Sequence, residues 1–178
     1  MPAILTVICG PMFAGKSTAL LREVGKLSPS SVMLLKPGMD TRYDKDSVVT
    51  HDGLKAPAKP VRFMPRIPEN ISDVFLDEVQ FMENPWFEGS LTDDVDKLLA
   101  RGVSVWAAGL DMDAWGVPFL VTSSLLAMSD HVFKLKSSCH VCGAPACMTT
   151  LKGDAGDRIK LGGGDVYAPA CREHWQAP

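Results

Sequence analysis

The sequence lacks a surplus of basic residues. Its 178 residues include 18 Lys and Arg against 21 Asp and Glu, for a formal net charge of −3. Sequence-independent binding to nucleic acid depends on many Lys and Arg that neutralise phosphates, so we expect no nucleic-acid partner. The first nine residues also lack a basic leader, and their apolar run is too short for a signal peptide or a membrane span. We therefore expect a cytoplasmic (cytosolic) protein with no membrane partner.

Cysteine is scarce and odd in number, with five residues in the chain. Four of them fall between Cys139 and Cys171, whereas Cys9 stands apart on a predicted strand. An odd, crowded set is typical of metal ligation in a reducing compartment rather than of a disulfide framework. Cys147 is expected to be a free, packed thiol.

Two residue pairs in the cysteine-rich segment have the spacing of zinc ligands. Cys139 and Cys142 form a CxxC pair, and Cys171 and His174 form a CxxH pair. Four such ligands predict a closed, tetrahedral, structural zinc site. The metal would hold the two ends of the intervening loop together, as a staple in place of a hydrophobic core. His140 is the alternative ligand, but its position inside the first pair favours a solvated residue.

Short apolar stretches alternate with segments of helical pattern. The predicted strands span residues 3–9, 31–36, 73–77 and 103–110. Predicted helices over residues 18–24 and 94–100 lie between them. Continuous apolar strands separated by helices predict an α/β domain with a central parallel sheet, whose ligand binds at the carboxyl ends of the strands.

The composition of the chain changes twice. Residues 37–66 are rich in Pro, Gly, Asp and Lys, which predicts a long loop or a short hairpin, the usual place for a functional flap. From residue 138 onward Gly and Cys become frequent and the helical pattern disappears. We expect an α/β domain over residues 1–137 and a small zinc-binding unit over residues 138–178.

Residues 10–17, GPMFAGKS, match the phosphate-loop pattern GxxxxGK[ST]. They lie between a predicted strand and a predicted helix, which is the context that the motif requires. There, backbone N–H groups surround the phosphates of ATP, Lys16 reaches the β- and γ-phosphates, and the Ser17 hydroxyl binds Mg²⁺. Gly15 lets the backbone approach closely. The motif therefore predicts a P-loop domain that binds ATP with Mg²⁺.

The predicted strand over residues 73–77 ends in two acids, Asp77 and Glu78. In a parallel sheet they would lie beside the phosphate loop. Asp77 can then approach Mg²⁺, and Glu78 can take the proton of a hydroxyl that accepts a phosphoryl group. The alternative is that one of the two acids is only a solvated strand end.

Taken together, these motifs resemble the cytosolic (type II) thymidine kinase family over nearly the whole chain. The phosphate loop GPMFAGKST looks like the family's GPMFSGKST. Five more segments look like family motifs in the same order: KPGMDTRY at 36–43 (KPxxDxRY), THDG at 50–53 (SHDG), DEVQF at 77–81 (DEAQF), GLDMD with PF at 109–119 (GLDxDF, PF) and LGGGDVY at 161–167 (IGGxxxY).

The resemblance implies an enzyme that transfers the γ-phosphoryl group of ATP to the 5′-hydroxyl of thymidine, giving thymidine monophosphate for DNA synthesis. It implies Glu78 as the base, a homotetramer, and a zinc-tied lasso loop over the nucleoside. The implied ATP and Mg²⁺ contacts are Gly10, Pro11, Met12, Phe13, Ala14, Gly15, Lys16, Ser17, Thr18, Asp40, Arg42, Asp77 and Gln80. The implied nucleoside contacts are Met12, Phe81, Leu110, Ala114, Phe119, Arg158, Ile159, Lys160, Leu161, Gly162 and Tyr167.

Two departures from the family motifs fall on the nucleoside side. Ala114 stands where GLDxDF has an aromatic residue, with Trp115 beside it as a substitute. Thr150 and Leu151 stand where the family often has Arg-Leu, with Lys152 as a substitute for the arginine. These departures leave deoxyuridine or a 5-modified pyrimidine deoxynucleoside as alternative substrates.

Two other functions are open from the sequence. One is a P-loop ATPase whose zinc ribbon binds DNA, against which the acidic balance of the chain weighs. The other is a family member that binds nucleotide without turnover, against which the intact phosphate loop, Asp77 and Glu78 weigh.

Overall fold

A computed structural model describes residues 2–39, 46–50, 52–153 and 162–178. The predicted site residues Asp40, Arg42, Arg158, Ile159, Lys160 and Leu161 lie outside the described residues. In chain order the elements are β1 (Leu5–Cys9), α1 (Lys16–Val24), β2 (Val32–Pro37), β3 (Ser47–Val49), β4 (Lys55–Pro57), β5 (Lys59–Val61), β6 (Asp73–Leu76), a 3-10 helix (Val79–Phe81), α2 (Leu91–Ala100), β7 (Ser104–Gly109), α3 (Leu120–Met128), β8 (His131–Lys134), β9 (Ser137–Ser138), β10 (Pro145–Ala146), β11 (Met148–Leu151) and β12 (Tyr167–Ala170).

The centre of the molecule is a six-stranded sheet in the order β5-β2-β6-β7-β1-β8. All five strand pairings in it are parallel. The register places Leu5 opposite Val105 and Cys9 opposite Gly109, so the carboxyl ends of β1 and β7 are level. The predicted α/β fold with a parallel central sheet is confirmed.

Alternate residues of β1 pack into two different cores, as the period of a strand requires. Leu5, Val7 and Cys9 belong to a cluster that includes Val95 of α2 and Leu125 of α3. Ile8, on the other face, packs in a second cluster with Leu20 and Leu21 of α1. Helices therefore cover both faces of the sheet.

The two edge strands were not predicted from the sequence. β5 lies inside the segment that was predicted as a long loop or short hairpin, and β3 and β4 form such a hairpin just before it. Pro60 has no N–H to donate, which suits an edge strand. β8, at the other edge, is exposed throughout, so it lacks the buried apolar pattern that revealed the central strands.

Two helices, α1 and α2, begin earlier than predicted, and the third, α3, was not predicted. α1 starts at Lys16, two residues before the predicted start. α2 starts at Leu91, because the Ser90 hydroxyl accepts a hydrogen bond from the Asp93 N–H and caps the helix.

From Ser137 onward the described chain forms two small hairpins, β9–β10 and β11–β12. Two hydrogen bonds hold this part against the phosphate loop: the Ser137 hydroxyl donates to the Phe13 carbonyl at 3.1 Å, and the Met12 N–H donates to Thr149 Oγ1 at 3.0 Å. The division into two domains near residue 137 stays a prediction. Among the described residues, no helix has the length and apolar character needed to cross a membrane.

Candidate functional site

The phosphate loop turns sharply between β1 and α1. Gly10, Phe13 and Gly15 have φ angles of 143°, 62° and 79°, in the region that glycine tolerates best. A Cβ atom at Gly10 would stand only 2.5 Å from the carbonyl oxygen of Leu135. Gly15 is the N-cap of α1 and has no side chain to cap the helix, so the first helical N–H groups point toward the predicted phosphate site.

Lys16 folds back over the loop that carries it. Its Nζ donates a hydrogen bond to the carbonyl oxygen of Pro11 at 2.7 Å. Burial lowers the pKa of Lys16 below its ordinary value, and the negative charges of Glu78 and Asp77 oppose that effect. The lysine therefore lies between the loop backbone and a pair of carboxylates. A bound polyphosphate would add further negative charge next to its amine.

Ser17, on α1, and Asp77, directly after β6, lie in contact beside the phosphate loop. The Ser17 hydroxyl donates to Asp77 Oδ1 at 3.0 Å, and Asp77 is only 5% exposed. Neighbouring oxygen ligands of an octahedral Mg²⁺ are about 2.9 Å apart, since each Mg–O bond is about 2.1 Å. The two oxygens thus fit adjacent positions around Mg²⁺. Next to them, the Thr18 hydroxyl donates to Asp52 Oδ2 at 3.1 Å.

Glu78 has a left-handed backbone conformation, with φ 54° and ψ 42°. This region is sparsely populated by residues other than glycine, and such strain clusters at functional sites. The Gln80 side-chain amide donates to Glu78 Oε2, and its Oε1 accepts the N–H of Leu110 at 2.9 Å. Gln80 is fully buried. Its amide thus joins the carboxylate after β6 to the main chain after β7.

Gly109, at the end of β7, makes that junction possible. A Cβ atom there would lie 2.6 Å from Val79 Cγ2 and 2.8 Å from Gln80 Oε1. Any residue larger than glycine would push the amide of Gln80 away from Leu110. The close approach of Val79 and Gln80, rather than a positive φ, therefore explains why the GLDMD segment begins with glycine.

The predicted nucleoside contacts lie on segments that hydrogen bonds tie together. Phe81, Ala114, Phe119 and Tyr167 are buried, whereas Met12, Leu110 and Gly162 are half-buried. Met12 bonds to Thr149 of β11, Leu110 to Gln80, and the Ala114 carbonyl accepts from the Trp175 indole at 3.2 Å. Roles for these residues remain predictions.

Lys152 closes the base of the loop between β11 and β12. The backbone N–H of Lys152 donates to the carbonyl of Val166 at 2.7 Å, and its side-chain Nζ donates to the carbonyl of Gly164 at 2.6 Å. Leu151 pairs with Tyr167 just below. The lysine that was considered as a substitute for the family's arginine therefore bonds to the far end of this loop.

The four predicted zinc ligands converge. Cys139, Cys142, Cys171 and His174 place their ligand atoms within 4.8 Å of one another. Cys139 Sγ is 3.9 Å and Cys171 Sγ is 3.2 Å from His174 Nδ1, and the Cys142 and Cys171 sulfurs are 3.9 Å apart. Tetrahedral zinc requires about 3.8 Å between sulfurs and about 3.5 Å between sulfur and nitrogen. This cluster can hold a structural metal ion, and its donor set fits zinc.

Metals bind cysteine as the thiolate, so the pKa values of these cysteines bear on metal binding. Backbone hydrogen bonding, first from Cys171, lowers the pKa of Cys139 to about 6. The pKa of Cys142 is raised instead: a backbone hydrogen bond from Ala144 lowers it, but burial and the side chains of Cys139 and Cys171 raise it by more. His140, the alternative ligand, instead places Nδ1 2.9 Å from the carbonyl oxygen of Pro169.

Sequence reasoning missed two residues next to the predicted site. Thr149 is buried and accepts the Met12 N–H, yet nothing in the sequence marked it as a site residue. Trp175 bonds to Ala114 and Thr149. Its position directly after the ligand His174 was the one signal available.

Comparison with protein families gives one result that covers both halves of this site. The sequence model of a family described as "Thymidine kinase" matches residues 3–175. The match runs from before β1 to the residue after the last metal ligand. It therefore includes the phosphate loop, Asp77 and Glu78, and the complete Cys₃His cluster.

Proposed function

The chain belongs to the thymidine kinase family, and we propose that it transfers the γ-phosphoryl group of ATP to the 5′-hydroxyl of thymidine. Membership supports a nucleoside kinase, a phosphotransferase that acts on a nucleotide and a nucleoside. The observation that carries the proposal is the meeting of Ser17 with Asp77 at 3.0 Å, next to Glu78. A phosphate-binding helix, a metal-binding pair and a carboxylate base are the parts that phosphoryl transfer to a hydroxyl needs.

In this proposal the phosphate loop holds ATP. Its backbone N–H groups and Lys16 surround the β- and γ-phosphates, and Lys16 releases the Pro11 carbonyl to bond to them. Ser17 and Asp77 would hold the Mg²⁺ that travels with ATP, which supplies positive charge to the transferring group. Thr18 stays bonded to Asp52 and fixes the first turn of α1.

Glu78 accepts the proton of the 5′-hydroxyl as that oxygen attacks phosphorus. The carboxylate needs a fixed position, because proton transfer requires a separation of about 3 Å between the heavy atoms. Its left-handed backbone and the bond from Gln80 support such a position. Positioning and electrostatics, rather than covalent catalysis, then account for the rate.

The nucleoside would lie between the loop after β7 and the segment between β11 and β12. Main-chain N–H and C=O groups can read the polar edge of a pyrimidine, while Met12, Phe81 and Leu110 cover its faces. The Cys₃His cluster joins the β9–β10 hairpin to the end of β12 and would keep the nucleoside loop in place. Its four protein ligands favour a structural role for zinc over a catalytic one.

One observation supports a second substrate. Ala114 is 3% exposed and small where the family motif has an aromatic residue, so the pocket differs there from the motif's expectation. Deoxyuridine or a 5-modified pyrimidine deoxynucleoside is the alternative substrate. The family match favours either nucleoside over the DNA-binding ATPase considered from the sequence.

A direct test incubates the purified, zinc-loaded protein with labelled ATP and, in turn, thymidine, deoxyuridine, deoxycytidine and 5-substituted analogues. The proposal expects the highest kcat/KM with thymidine. Glu78→Gln should lower kcat by about 100-fold or more, since general-base catalysis contributes about 10²–10⁴-fold. Glu69→Gln is the matched control, because Glu69 is exposed and precedes the amino end of β6, whereas Glu78 follows its carboxyl end. No phosphorylation of any nucleoside would refute the function, and full activity of Glu78→Gln would refute the base.

We also propose a homotetramer in the cytosol, as the family resemblance implies. β8 supports the assembly, because this edge strand exposes Val132 by 49% and Phe133 by 52% and, among the described residues, pairs with β1 alone. None of the five cysteines of the chain forms a disulfide, as expected in a reducing compartment. Light scattering after size-exclusion chromatography should give four times the 19.2 kDa chain mass. A monomer at micromolar concentration would contradict the assembly.

A further inference from the structure

Trp175 lies at the meeting point of three parts of the molecule. It directly follows the predicted metal ligand His174. Its backbone N–H donates to the carbonyl of Cys171, another predicted ligand, at 2.9 Å. The backbone of the tryptophan is thus part of the turn that forms the Cys₃His cluster. The geometry of the cluster therefore determines where the Trp175 backbone lies.

The indole N–H of Trp175 bonds to two segments at once. Nε1 donates to the carbonyl of Ala114 at 3.2 Å and to the carbonyl of Thr149 at 3.1 Å. Ala114 belongs to the loop after β7, whereas Thr149 belongs to β11. A single donor shared by two carbonyls fixes the distance between these segments.

The indole ring also packs closely against the loop after β7. A Cβ atom at Gly116 would lie 3.1 Å from Cη2 and 3.2 Å from Cζ2 of Trp175, so the ring lies directly against the glycine backbone. Gly116 has a φ of 75°, and Asp113 holds the same turn by accepting the N–H groups of Trp115 and Val117. The tryptophan therefore contacts a turn whose shape is already defined.

A second link leads from Trp175 to the phosphate loop. Thr149, whose carbonyl accepts the indole N–H, uses its own Oγ1 to accept the N–H of Met12 at 3.0 Å. Thr149 is 4% exposed, so water does not compete well for these bonds. The contacts run without a gap from the metal cluster through Trp175 to both Ala114 and Met12.

From this arrangement we propose that Trp175 is a positioning residue for the nucleoside pocket. It links the metal cluster to the loop after β7 and to β11 by hydrogen bonds and so restricts the movement of both segments. The inference rests on the proposed function, because Met12 and Ala114 are predicted nucleoside contacts. Trp175 touches neither the reacting atoms nor, in this proposal, the nucleoside. It holds the walls of the pocket at the separation that the nucleoside needs.

The sharpest variant is Trp175→Phe, which keeps an aromatic ring and removes the indole N–H. Loss of one shared hydrogen bond corresponds to about a 5- to 10-fold change in an equilibrium constant. We expect the Kd and KM for thymidine to rise by about that factor, with the KM for ATP within about twofold of the original value. Trp175→Leu, which also removes the ring contact with Gly116, should raise the thymidine Kd further.

Trp106→Phe is the matched control. Trp106 lies on β7, stacks on Phe75 with 6.0 Å between ring centroids, and packs in the core with α1. The same chemical change at this position should leave the thymidine Kd unchanged. Calorimetric titration of thymidine gives the Kd, and the zinc content of each variant shows whether the metal cluster is intact.

Three outcomes decide the inference. A raised thymidine Kd in Trp175→Phe, with unchanged ATP affinity and one zinc per chain, supports it. Wild-type thymidine affinity in that variant overturns the inference and leaves the proposed function standing. Equal losses of zinc, ATP affinity and thymidine affinity also overturn it, because Trp175 would then be a general structural residue. If the unaltered protein bound ATP but no pyrimidine deoxynucleoside, the proposed function itself would fail, and the inference with it.

Discussion

Replacing Gln80 by Met removes one hydrogen bond to the proposed catalytic carboxylate and one from the main chain after β7, without changing side-chain volume much. Gln80 is fully buried, donates to Glu78 and accepts the N–H of Leu110 at 2.9 Å. The N–H of the half-buried Leu110 would lose its partner at a cost of about 1–3 kcal/mol, and a hydrogen bond to a charged group contributes about 1.5–3 kcal/mol. We therefore expect Gln80→Met to lower the free energy of unfolding by about 2.5–6 kcal/mol.

The effect on activity should be larger than this loss of stability explains. Without the amide, Glu78 is freer to leave its position, and a displacement of about 1 Å can cost about 100-fold in rate. We expect kcat to fall by about 10- to 100-fold in the folded fraction, with little change in the KM for ATP. Urea denaturation measures the stability, and a coupled ADP assay measures kcat.

Two further variants make the test decisive. Gln80→Glu keeps an acceptor for the Leu110 N–H but places a second carboxyl group against Glu78, where two negative charges are disfavoured, so it should lose activity with a smaller loss of stability. Gln176→Met makes the same chemical change at an exposed position and should behave as the unaltered protein. A folded Gln80→Met protein with kcat within twofold of the original would refute the reasoning.

The remaining predictions concern the close approach at β7, the phosphate loop and the metal. Gly109→Ala should lower the free energy of unfolding by about 1–3 kcal/mol in a denaturant titration, because its Cβ would stand 2.6 Å from Val79 Cγ2. Gly25→Ala is the control, since its Cβ would be 3.5 Å from its nearest neighbour. Equal stability of the two variants would contradict the steric account. Lys16→Met should weaken ATP binding by about 10- to 100-fold in calorimetry, as expected for lost charge-assisted contacts. It should not reduce stability, because burial of the charged amine lowers its pKa and so opposes folding in the charged form; unchanged ATP affinity would count against the phosphate-loop assignment. Removing the metal with a chelator, or substituting Cys142→Ser, should raise the KM for thymidine much more than the KM for ATP, whereas a metal-free protein with an unchanged thymidine KM would contradict the structural role of zinc.

The central strands could be predicted because they are buried on both faces. Residues 5–9 are all buried, and four of the five are apolar. β5 and β8 have no such signal: β8 is exposed along its whole length, so its sequence His-Val-Phe-Lys carries no requirement for burial. Edge strands are defined by the neighbour they pair with, which lies far away in the chain.

The phosphate-loop motif and the metal cluster could be recognised in the sequence for a related reason. GPMFAGKS and the two ligand pairs each place several chemical groups within a few residues, so local spacing alone determines their geometry. The carboxylate Asp77 could be placed because parallel strands end at the same edge of a sheet, and its bond to Ser17 agrees with that prediction.

The contacts of Gln80, Thr149 and Trp175 with distant segments could not be predicted. Gln80 was expected beside the metal and phosphate region, and its described bonds go to Glu78 and to Leu110, thirty positions away. Trp175 and Thr149 meet because β12 pairs with β11 and the turn that carries Cys171 and His174 follows β12 directly. Such contacts depend on tertiary packing, for which residue spacing in the sequence gives no sign.

The central claim is transfer of the γ-phosphoryl group of ATP to thymidine. The most direct measurement incubates the zinc-loaded protein with Mg²⁺, thymidine and ATP labelled at the γ-phosphate, then separates the products by chromatography. The account predicts labelled thymidine 5′-monophosphate formed in a one-to-one ratio with ADP, and no labelled product without thymidine. ADP formed at the same rate with and without nucleoside, or no labelled nucleotide from any pyrimidine deoxynucleoside, would contradict it.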